Sequence, residues 1–93
     1  MKKTYTMYSD EEKFDILDSE SKIVFSISRK TLSLDGKKLY DSLFKEFNKG
    51  DDIVLNKDAS ILKDDKIANA VYDNVAEIIN KVKDGINGIE WNN

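Results

Sequence analysis

A stripe of apolar residues toward the C-terminal end constrains this chain more than any other feature. Ile67, Val71, Val75, Ile78 and Val82 recur at steps of three and four, with Ala68, Tyr72 and Ile79 beside them. That period matches the α-helical turn and predicts a helix over about residues 65–84 whose broad apolar face lies against other structure. The flanks agree. Asp64 and Asp65 stand where the first amides lack partners, Lys81 and Lys83 stand near the carbonyl end, and Gly85-Ile86 suits a left-handed cap with a hydrophobic clasp.

The layer that covers such a helix is written at the other end of the chain, where the period changes to two. Tyr5 and Met7 alternate with Thr4, Thr6 and Tyr8, the polar residues Ser9 to Glu12 turn the chain, and Phe14 and Ile16 alternate with Asp15 and Leu17. Ser19 to Ser21 make a second turn before KIVFSISR, in which Ile23, Phe25 and Ile27 face one way and Val24, Ser26 and Ser28 the other. Three short strands in a meander follow from this pattern.

Between the two ends the reading is less direct. Asp35-Gly36 fits either a two-residue hairpin turn or the cap of a helix with the stripe Leu39, Tyr40, Leu43, Phe44 and Phe47. The stripe decides for the helix, stopped by Asn48-Lys49-Gly50, with a short return strand over residues 37–40 before the helix begins as the open alternative. Ile53-Val54-Leu55 then reads as one more strand. The expected fold is a two-layer α+β domain in the order β-β-β-α-β-α, with two helices on a mainly antiparallel four-stranded sheet. Residues 1–93 form a single domain in this reading, with 86–93 as a tail available for docking.

Composition limits what the domain can do. The 93 residues include no His and no Cys, so the commonest general base, the thiolate nucleophile and the softer metal ligands are all missing. No serine sits in a nucleophile elbow, and DDIVLNKDASILKDD lacks the alternate ligands, central Gly and terminal Glu of a calcium loop. The expectation is a protein without catalytic residues, metal site or cofactor. Lack of cysteine suits a reducing compartment, and no apolar run approaches the ~18 residues needed to span a bilayer, so the default location is cytoplasmic. Enrichment in Lys, Asn, Asp and Ile has the flavour of an AT-rich bacterial or phage genome, whose accessory proteins include many small acidic domains.

The formal charge of −3 is uneven, with nine acidic and five basic residues in 51–93 against nine and ten in 1–50. Asp51, Asp52, Asp58, Asp64 and Asp65 are therefore the candidate acidic interface, fitted to a protein partner with a basic surface and able to compete there with nucleic acid. Tyr8 and Trp91 are candidate aromatic anchors, Trp91 within the apolar tail of Ile86 and Ile89. A chain this small also gains buried area by pairing, which makes a homodimer a natural state. The leading expectation is a non-enzymatic protein-binding accessory, an inhibitor or regulator of a larger nucleic-acid-handling protein. The alternative is a small nucleic-acid-associated regulator that uses Arg29, Lys30, Lys37 and Lys38, although a single Arg and a net negative charge make direct nucleic-acid binding the weaker case.

Overall fold

The computed structural model describes residues 2–31, Lys38, Asp41 and residues 51–86. Its elements are β1 (Lys2–Ser9), β2 (Lys13–Leu17), β3 (Ile23–Ser28), β4 (Asp52–Lys57) and α1 (Lys66–Ile86). The three N-terminal strands form the expected meander, β2 antiparallel to both β1 and β3. Each hairpin turn is organised by an aspartate. Asp10 Oδ1 accepts from the Glu12 and Lys13 amides, both at 2.8 Å, and Asp18 Oδ1 accepts from the Glu20 and Lys22 amides, both at 2.9 Å. A short carboxylate that satisfies amides two to four residues on is the physical reason aspartate favours turns. In the second turn Ser21 takes a left-handed conformation, with φ of 63°.

The fourth strand corrects the expected architecture. β4 does not extend the meander but pairs parallel with β1, from Lys2 opposite Asp52 to Met7 opposite Lys57. The sheet is therefore mixed, in the order β3-β2-β1-β4, and the first strand of the chain is interior. Parallel strands cannot be joined by a tight hairpin and need a crossover of a dozen or more residues, which residues 29–51 are long enough to supply. Among the described residues the order is β-β-β-β-α with one helix, in place of β-β-β-α-β-α with two. Of the helix expected over the Leu39–Phe47 stripe only Asp41 is described, and it is helical, as is Lys38 within the alternative return strand 37–40.

One face of the sheet meets α1. Tyr5 and Met7 from β1, Phe14 and Ile16 from β2, Ile27 from β3 and Ile53 from β4 are buried there. The helix contributes Ala68, Val71, Val75, Ile79 and Val82, and Ile61 joins the same core from the loop between β4 and α1. The observed helix keeps the period of the sequence stripe but shifts its phase. Ile67 is 47% exposed and Ile78 only half-buried, because the buried arc is centred on Ala68, Val75 and Val82 and leaves the edges of a broad apolar face outside. The helix also runs through Ile86, past the expected stop at Gly85. On β3, Ile23 was expected to face inward but is 51% exposed, next to the irregularity in register at Ile16/Leu17 that lets the strand end leave the core.

Ion pairs fix both ends of α1. Asp65 at its start meets Arg29 at 2.6 Å, and Lys83 in its last turn meets Asp52 at 2.9 Å. The signs complement the helix dipole at each end. No helix among the described residues is long and apolar enough to cross a membrane.

Candidate functional site

Arg29 follows directly on β3 and gathers three elements at one corner of the sheet. Its Nε donates to the Asp10 carbonyl at 2.8 Å, and its Nη2 donates to Ser9 Oγ and Asp65 Oδ2, both at 2.6 Å. The guanidinium carbon stands 4.5 Å from the centre of the Phe14 ring, and the Arg29 amide bonds the Glu12 carbonyl at 2.8 Å. A planar fork of donors suits this work better than an ammonium group would. Arg29, the leading residue of the basic candidate patch, is thus engaged within the fold. Lys30 beside it and Lys38 are exposed, and Lys37 lies outside the described residues.

The five candidate acidic residues are not brought together. Asp51 is buried at the entry to β4, and Asp52 is exposed beside it and paired with Lys83. Asp58, Asp64 and Asp65 stand beyond the other end of β4, about 20 Å away at the rise of an extended strand. Two of these three also have local tasks. Asp58 Oδ2 accepts from the Ser60 amide at 2.9 Å, and Asp65 Oδ1 accepts from the Ala68 amide at 3.0 Å, an N-cap at the third helical residue. Hydrogen bonds hold these carboxyls below the usual 3.8, Asp58 through the Ser60 hydroxyl and amide, Asp65 through Arg29 and then the Ala68 amide. Asp10 is lowered in the same way by the Glu12 and Lys13 amides. Much of the acidity of this chain serves as backbone acceptors, and Asp64 is the exposed acid of the second group that carries no such bond.

The two edges of the sheet differ. Because the Asp58 amide bonds the Met7 carbonyl, alternate peptide groups of β4 point toward β1 and those of Ile53, Leu55 and Lys57 point outward. One outward group of that edge is bonded by the helix. Tyr72 donates its hydroxyl to the Leu55 carbonyl at 2.7 Å, while Lys57 Nζ lies 4.6 Å above the Tyr72 ring and donates to Asn69 Oδ1 at 2.7 Å. Burial, and then the charge of Asp73, push the Tyr72 phenol above its usual 10.0.

The β3 edge has no such cover among the described residues. The inward bond of the Arg29 amide sets the alternation, so Phe25 and Ile27 turn their peptide groups toward β2 while Ser26 and Ser28 turn theirs outward. Both serines are exposed, and no described residue bonds their outer amides or carbonyls. The strand Ile23–Ser28 contains no charged residue and no proline, two of the common devices that protect an edge from pairing. Beside it lies a concavity of about 780 Å³ lined by Glu11, Glu12, Lys13, Ser26, Ser28 and Lys30 together with Arg29.

Tyr8 is 40% exposed on the sheet face opposite α1, and Trp91 lies outside the described residues. No group of three or more carboxylates able to hold a metal ion occurs among the described residues. The β3 edge, uncovered among the described residues, is the feature that sequence reasoning missed. Its signal was present in the uncharged core of KIVFSISRK, but which strand ends at the rim depends on the parallel docking of β4. No protein-family model, curated protein or solved structure matches the chain.

Proposed function

We propose that this chain is a small protein-binding accessory that regulates or inhibits a larger protein without catalysis of its own. The observation that carries the reading is the asymmetry of the sheet, with Tyr72 bonded to the outward Leu55 carbonyl of one edge and the other presenting the outward peptide groups of Ser26 and Ser28. Main-chain bonds at such an edge supply affinity for an extended segment, and the side chains on either face supply selectivity. The acidic residues are divided between the two ends of β4, so the recognition surface is assigned to the edge and not to a continuous acidic face.

The test is capture from host extract, with and without nuclease treatment, on the immobilised chain, run beside Ser26→Pro. Proline deletes one outward donor and is tolerated on an edge strand, so the fold survives and is checked by circular dichroism. A protein retained by the parent and released by folded Ser26→Pro supports the reading. A partner indifferent to this substitution but lost on reversal of Asp64 would move recognition to the acidic loop. Retention of nucleic acid alone would favour the regulator that uses Lys30 and its neighbours.

A further inference from the structure

The stretch Lys22–Lys30, which contains β3, carries three positive charges and no acid in a chain whose net charge is −3. Of the three, Arg29 is neutralised by Asp65, which leaves Lys22 and Lys30. Both are exposed, and neither has an ion pair among the described residues. They flank this edge, which no described residue covers, one before its first residue and one just past its last, roughly 25 Å apart for an extended chain. Glu11 and Glu12 of the β1–β2 turn line the concavity beside this edge together with Lys13, Arg29 and Lys30.

From this arrangement, and resting on the protein-binding reading above, we infer that the β3 edge receives an extended segment of another protein in which acidic residues flank about six uncharged β-formers. The uncharged middle pairs with the outward groups of Ser26 and Ser28, and the acidic ends meet Lys22 and Lys30. A second copy of this chain is the poorer occupant. Antiparallel pairing of β3 with itself sets Lys22 of each copy toward Lys30 of the other, placing like charges at both ends of the new ladder.

The probe is a capped peptide, Glu-Glu-Thr-Val-Thr-Val-Thr-Val-Glu-Glu, compared with the same peptide ended in Lys-Lys, with binding and amide exchange followed residue by residue by NMR. The expected result is slowed exchange at the Ser26 and Ser28 amides and about tenfold tighter binding of the Glu-ended peptide at low salt, as two partly exposed ion pairs allow. Lys22→Glu with Lys30→Glu should invert the preference without changing the spectrum of the core. Equal binding of both peptides, or binding that leaves the Ser26 and Ser28 amides unprotected, overturns the inference. So does dimerisation through β3 seen by sedimentation, or a single-stranded oligonucleotide that displaces the Glu-ended peptide by contacting Lys22 and Lys30. If Ser26→Pro releases a host protein whose contacting segment lacks acidic flanks, the protein-binding reading stands and this inference alone fails.

Discussion

Replacing Val75 and Ile67 separately by alanine tests the placement of α1 more sharply than any single substitution. Val75 is fully buried against the sheet, whereas Ile67, the first residue of the sequence stripe, is 47% exposed. Val75→Ala removes two buried methyl groups, worth about 0.8 kcal/mol each in transfer, and leaves a space that adds roughly 0.5–1 kcal/mol. The better helix propensity of alanine returns about 0.5 kcal/mol, for a net loss of about 2 kcal/mol. Against a total of about 5–15 kcal/mol for a domain, that loss is plain in urea denaturation followed at 222 nm, and it should lower Tm by roughly 10 °C. Ile67→Ala removes more carbon on paper but little from the core, and should stay within about 0.5 kcal/mol of the parent. Val75→Asp buries an unpaired carboxylate and should unfold the chain. Loss of more stability from Ile67→Ala than from Val75→Ala would mean that the helix is rotated from the position described and would refute the assignment of the core.

Tyr72→Phe should cost about 1 kcal/mol through the bond lost at Leu55 and, by opening the β4 edge, should raise self-association in sedimentation at high protein concentration. Asp10, Asp58 and Asp65 have folded-state pKa values below the usual 3.8, so their contribution is complete above that value and is lost as pH falls through the lower folded values. Stability should therefore decline in acid, below about pH 4, and Asp65→Asn should show a shallower decline in acid-titrated urea melts. The Tyr72 phenol has the opposite sign, raised above 10.0, so its stabilisation is whole below that pH and is lost as pH rises through the folded value. Ser21 sits at φ 63°, where a β-branched side chain is crowded, so Ser21→Val should lower stability by about 1–2 kcal/mol while Ser21→Gly should hold or raise the urea midpoint.

The local elements were legible because each writes its own period. Alternation at Tyr5, Met7, Phe14 and Ile16 locates β1 and β2, and steps of three and four locate α1. Pairing was not legible, since Ile53-Val54-Leu55 looks the same as a parallel or an antiparallel neighbour, and the choice depends on the route of a long connection. Residue type also conceals commitment. Asp58 and Asp65 are candidate interface groups by sequence, yet Asp58 orders the turn Asp58-Ala59-Ser60, and Asp65 caps the helix at whose free amides the sequence also places it. Arg29 likewise belongs by sequence to the alternative nucleic-acid patch, and its side-chain hydrogen bonds go to Ser9, Asp10 and Asp65.

The interior position of β1 sets a timetable on the ribosome. The β1–β2–β3 meander can assemble early, but the other side of β1 meets its partner only when residues 52–57 have been made. At about 5–20 residues per second that side waits roughly 2–10 s, a period in which Tyr5 and Met7 have neither β4 nor α1 beside them. Slower decoding of the connection between β3 and β4 should lengthen the wait and lower soluble yield, and a chaperone that shields nascent strands should restore it.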